Sequence, residues 1–174
     1  ILTAARDTFV ATPKLKLLLN DAGSVQAARA IQTAFPEVPP DILCVDPIRN
    51  LFDGGPDGGG ENDNTAMMFF LKDRVEVLRD HIDPECGVIL VHHTRKLSKH
   101  QVKEAPFRAL WGASALRGFY TSGLILHRPD EDASERKLEI ELRNGPALEP
   151  KLIDKRGGEW VEMNPLNERL VRQE

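Results

Sequence analysis

The sequence predicts a doubly wound α/β fold: a mostly parallel sheet between helices, extended by antiparallel strands near the carboxyl end. Three observations predict it. Short continuous apolar runs, Ile42–Val45 and Gly87–His92, read as strands covered on both faces. Segments of helical spacing alternate with them, which is the order of a βαβ unit. From Lys137 to Leu142 the pattern changes to strict alternation, K-L-E-I-E-L, the period of a half-buried strand.

The first element expected is a strand at Leu15–Leu19, L-K-L-L-L, followed by the turn and helix-start residues Asn20, Asp21 and Gly23. Val25, Ala28, Ile31 and Phe35 then mark one face of a helix that Pro36 ends. Pro39 and Pro40 lead into D-I-L-C-V-D, where the apolar run finishes on Asp46 and Pro47 stops the strand. In an open α/β sheet the ligand crevice lies outside the carboxyl ends of the strands, so a carboxylate there is placed to hold a hydrated magnesium ion. Capping of the turn before Pro47 is the competing reading.

The Gly- and Asp-rich stretch from Pro47 to Asn64 lacks the Lys-Ser or Lys-Thr of a phosphate loop and reads as a flexible connection. Asp63 or Asn64 caps the next helix. That helix, Thr65 to Ile82, carries Met67, Leu71, Val75, Leu78 and Ile82 along one face. The strand after it ends on His92 and His93, so the pair opens onto the same edge as Asp46. Adjacent residues of a strand point to opposite faces, which makes chelation of one metal by both rings awkward. A histidine satisfied by a backbone partner is the competing reading.

Arg95 to Arg108 is the most basic stretch, with Arg95, Lys96, Lys99, His100, Lys103 and Arg108 against the single acid Glu104. Phosphate contact is its simplest use, and a solvated loop is the alternative. Trp111–Tyr120 reads as a short helix of small residues, and Leu124–Leu126 as a strand. Asn144-Gly145-Pro146 makes a turn. Leu148–Ile153 and Trp160–Met163 are further strands joined at Gly157-Gly158, and Leu166–Glu174 is a tail or linker. Residues 1–163 are thus expected to form one domain and residues 164–174 its tail.

At 174 residues, with 41% hydrophobic and 29% charged side chains, the chain has the composition of one ordinary globular domain. Its net charge of -4 argues against bulk attraction to nucleic acid and leaves only local basic segments for that task. Cys44 and Cys86 lie in or beside expected core strands without metal-ligand spacing, and read as buried thiols in a reducing compartment. No stretch has the length of a membrane span and no leader pattern is visible, so a cytoplasmic protein is expected. The first residue is Ile1 rather than Met, which suggests a piece cut from a longer chain.

Several short motifs stand in register: D-I-L-C-V-D-P-I at 41–48, G-G-G-E-N-D-N at 58–64, V-I-L-V-H-H-T-R-K at 88–96, G-A-S-A-L-R-G at 112–118 and L-R-N-G-P at 142–146. Together they resemble the ATPase core of RecA-like proteins, most closely the plasmid and phage ATPases that include the RepA-type hexameric replicative helicases, with DnaB-type helicases more distant. The resemblance implies a RecA-like three-layer fold. It also implies hydrolysis of ATP with Mg2+, coupled to single-stranded DNA in DNA replication, by a homo-oligomer, a hexameric ring. Asp46 matches the Walker B aspartate, which holds the magnesium ion through water. His93 matches the polar sensor of the γ-phosphate and His92 its neighbour.

The segment with Arg95, Lys96, Lys99, Lys103 and Arg108 corresponds to the loop that touches DNA in such helicases. Arg143 matches the arginine that DnaB-type relatives present to the neighbouring subunit's nucleotide, although Glu141 stands where their lysine would be. Capping of a strand is the other reading of Arg143, and Arg117 is the second candidate for the finger. The family's phosphate loop and the strand bearing its catalytic glutamate are absent and are expected before Ile1. This chain then reads as the carboxyl-terminal part, inactive alone. The alternative is a RecA-like module that binds DNA or an assembly partner without turning over ATP.

Overall fold

The computed structural model describes residues 9–11, 17–93, 105–109, 113–130, 132 and 134–163. It is a mixed α/β protein whose described strands form a two-stranded parallel sheet and a four-stranded antiparallel sheet. These belong to two compact units.

In the first unit, helix α1 (Asp21–Ala34) starts where the Asn20 side chain accepts a hydrogen bond from the Gly23 N–H at 2.9 Å, and it gives out at Phe35 before Pro36. Its buried face is Gly23 and Ala27, with Ala28 and Ile31 half-buried, whereas Val25 is 52% exposed. The apolar stripe expected through Val25 is therefore rotated. Gly23 approaches the Leu18 carbonyl so closely that the face is set by backbone contact rather than by the larger side chains. Of the strand expected at Leu15–Leu19, the described residues 17–19 are irregular: the Leu19 N–H donates to the carbonyl of Leu51, in a loop, and no ladder forms. Leu15 and Lys16 lie outside the described residues.

Strand β1 (Ile42–Val45) pairs in parallel with β2 (Gly87–Leu90), Ile42 opposite Gly87 and Val45 opposite Leu90. The connection between them passes through the stretch 46–63 into one continuous helical run. The run comprises α2 (Asn64–Phe69), a π segment (Phe70–Glu76) and α3 (Val77–Ile82). Asp63 caps it, its carboxylate accepting from the Thr65 and Ala66 N–H groups at 2.8 and 3.2 Å. The wider π turn gathers Phe70, Leu71 and Val75 on a narrower arc than an α-helix would, and all three are buried. With Met67, Leu78, Leu19, Val45 and Ile48 they form the core of this unit, to which α4 (Ala113–Phe119) adds Ala115 and Leu116.

Leu43, Val88 and Leu90 pack on that core. The other face of the pair is bare among the described residues: Ile42 is 57% exposed, and Cys44 and Ile89 are exposed with it. This corrects the expectation of strands covered on both sides and of a buried Cys44. A continuous apolar run does not reveal which of its two faces has a neighbour. Cys86 is buried, as expected.

In the second unit, β3 (Ser122–His127), β4 (Arg136–Leu142), β5 (Lys151–Arg156) and β6 (Glu159–Glu162) form an antiparallel meander in that order. Gly157 and Gly158, at φ of 57° and 92°, make the two-residue turn between β5 and β6, which needs positive φ at both positions. Ile125 pairs with Glu139, and both are buried on the face that Phe107 and Tyr120 cover near Gly123. Lys137 Nζ, 2.7 Å from Glu139 Oε1, compensates that buried charge. The antiparallel strands were expected to extend the parallel core. Instead, among the described residues they make a sheet of their own, because no described strand pairs with the outer edge of β2 or of β3. Leu166–Glu174 lies outside the described residues. No helix among the described residues is long and apolar enough to cross a membrane.

Candidate functional site

Backbone pairing does not stop where the parallel strands end. The Val91 N–H donates to the Val45 carbonyl and the Ile48 N–H to the Val91 carbonyl, each at 2.9 Å. Asp46 lies between these bonds, exposed, and is joined to Pro47 by a cis peptide. His92 follows Val91 half-buried, and His93 is exposed. The structure thus places Asp46, His92 and His93 on one edge, at the carboxyl ends of two adjacent parallel strands. Among the described residues no group of three carboxylates, imidazoles or thiols gathers to hold a metal ion. A hydrated Mg2+ needs only one or two carboxylates alongside substrate phosphates, so Asp46 is the residue here that fits such an ion.

The stretch after Asp46 is anchored rather than a plain flexible connection. Pro47–Leu51 closes as a 3-10 turn (Ile48–Asn50), in which Ile48 is fully buried and accepts from the Leu51 and Phe52 N–H groups at 2.9 and 3.0 Å. Phe52 packs against Phe70, ring centroids 5.3 Å apart. Asp53 Oδ2 then lies 2.9 Å from Arg74 Nε, while its Oδ1 accepts from the Gly55 N–H at 3.1 Å. Arg74 also reaches Asp21 at the start of α1 and lies 4.9 Å over the Phe69 ring. Burial works against the Arg74 charge, but the hydrogen bonds and charges of Asp53 and Asp21 outweigh it and raise its pKa above the usual arginine value. Within the same stretch, Arg49 Nε lies 3.3 Å from Glu61 Oε1. Local pattern revealed none of these four side chains, because each pair joins residues far apart in sequence or within an aperiodic loop.

The remaining candidates are dispersed. Arg117 is exposed on α4. Arg143 belongs to the second unit, exposed in the bend after β4, where its N–H donates to the Thr121 carbonyl at 2.9 Å. Glu141, at the position of the DnaB-type lysine, accepts from the Tyr120 hydroxyl at 2.6 Å and so has a packing partner of its own. Arg95, Lys96, Lys99 and Lys103 lie outside the described residues, and Arg108 falls in a 3-10 turn (Pro106–Ala109). No protein-family model matches the chain, and no curated protein matches it.

Proposed function

We propose that this chain is the carboxyl-terminal part of an ATP-dependent motor on single-stranded DNA, of the RecA-like hexameric replicative helicase type. The observation that carries the reading is the parallel pairing of β1 and β2, which sets Asp46 beside the strand end bearing His92 and His93. In that role Asp46 would hold a hydrated Mg2+, which would offset the negative charge of the nucleotide phosphates. His93 hydrogen-bonds the γ-phosphate or the attacking water and relays its loss to the basic segment that follows. Arg143, or Arg117, reaches the nucleotide of a neighbouring subunit and stabilises charge on the phosphoryl oxygens.

The face of the parallel pair left bare among the described residues supports the three-layer part of the proposal. Parallel strands are ordinarily covered on both faces, and Ile42, Cys44 and Ile89 offer an apolar surface for a further layer. In the full-length protein, Asp46→Asn removes the charge that holds Mg2+ while leaving the strand end intact. ATP hydrolysis is expected to fall by about 100-fold or more, with binding of a dT oligomer and the melting temperature unchanged. Unchanged hydrolysis in the variant, or a full-length protein without hydrolysis, replaces this reading with a RecA-like module that holds DNA or an assembly partner.

A further inference from the structure

We infer that Arg49 is a phosphate-binding residue on the edge that carries Asp46. Arg49 follows Asp46 by three residues within a turn that is fixed from both sides. The buried Ile48 side chain plugs the turn into the core, and the Ile48 N–H is bonded to the Val91 carbonyl, one residue before His92. The backbone under Arg49 is therefore held at the same carboxyl edge as the candidate site, on the short turn rather than on a long swinging loop.

The side chain has a counter-ion beside it as well. Glu61 takes the Nε side of the guanidinium at 3.3 Å, and the Glu61 carboxylate is itself largely covered. The Arg49 side chain remains 72% exposed, so an oxyanion in solution can reach its guanidinium. A guanidinium carries its N–H donors as a planar fork, the geometry that meets two oxygens of a phosphate. The net charge of -4 gives the protein little general attraction for anions, so a cation fixed at this edge matters locally. The group it recognises is a phosphate oxyanion, supplied by the nucleotide or by the backbone of single-stranded DNA. The choice between these two sources rests on the motor reading above.

The test uses the full-length protein, with Mg2+-ATP and a fluorescein-labelled dT oligomer as probes. Arg49→Gln should raise the KM for ATP about tenfold with DNA affinity intact if the phosphate is the nucleotide's. If it is the DNA's, the oligomer Kd rises about tenfold and the log–log salt slope shrinks by about 0.7. Arg49→Lys keeps the charge without the fork and should recover only part of the loss. Glu61→Gln, which loosens the guanidinium without removing it, should shift the same quantity in the same direction by a smaller factor. The melting temperature is the control, since so exposed a side chain adds little to stability.

Arg49→Gln binding both probes as the wild type does, or a full-length protein that binds neither, overturns the inference. Loss of hydrolysis in Asp46→Asn beside an unaffected Arg49→Gln overturns this inference alone. Normal hydrolysis in Asp46→Asn beside weakened DNA binding in Arg49→Gln overturns the motor reading alone.

Discussion

Arg74 Nε lies 2.9 Å from Asp53 Oδ2, an ion pair whose side chains are only 17% and 8% exposed, and it fastens the loop after β1 to the π segment of the long helical run. The same guanidinium reaches Asp21 at the start of α1 and covers the Phe69 ring. One side chain thereby joins three segments distant in sequence.

Asp53→Ala should be among the more damaging substitutions in this unit. It leaves a mostly covered guanidinium with the exposed Asp21 as its one remaining carboxylate among the described residues and takes the acceptor from the Gly55 N–H. The expected loss is about 3 kcal/mol, measured as a lower urea midpoint with an unchanged slope. Asp21→Ala removes the solvent-facing partner and should cost far less. Equal losses from the two variants would mean that Asp53 is not the anchor.

Gly23→Ala tests the close packing at the start of α1. Alanine in place of glycine ordinarily steadies a helix by up to about 1 kcal/mol. Here a Cβ on Gly23 would meet the Leu18 carbonyl oxygen at 1.8 Å, a backbone atom that cannot rotate away. The sign should reverse, with a destabilisation of about 1–3 kcal/mol in urea or thermal unfolding. A stabilised variant would show that Leu18 and α1 do not approach this way.

The two thiols should separate cleanly under alkylation. Cys86 is buried, and burial, aided by the negative charges of Asp83 and Asp41, raises its thiol pKa despite a backbone hydrogen bond that lowers it. The reactive thiolate of Cys86 is therefore scarce until the pH exceeds the ordinary thiol range. In the 174-residue chain near neutral pH, iodoacetamide followed by peptide mass spectrometry should label the exposed Cys44 first and Cys86 only on unfolding. In the longer ATPase proposed above, the layer that covers Ile42 and Ile89 should protect Cys44 too. A Cys44 that labels equally fast in both proteins would argue against that layer.

Much of the architecture is encoded locally. The apolar run closed by Asp46 and Pro47, the Met67–Ile82 stripe, the Asp63 cap and the Gly157-Gly158 hairpin are all visible in stretches of a few residues, because backbone preference and side-chain period act at that range. The same holds for Asp46, His92 and His93, each at the end of a strand recognisable alone. What the chain's order does not contain is the neighbour each face will meet. Val25 and Cys44 look like core residues and are exposed, while the charged Glu139 is buried because its register opposite Ile125 places it on the covered face.

The anchoring of the Asp46 loop is of the same kind. Asp53 and Arg74 are separated by 21 residues, and Arg49 meets Glu61 across a loop without period. The first pair forms only when the helical run folds back on the loop, and the second only when the loop turns back on itself. The sequence is enough to place a carboxylate and two imidazoles at one sheet edge. Three-dimensional packing turns the loop beside them into a fixed support beneath the exposed Arg49, because burial and long-range ion pairing depend on distances that local pattern does not encode.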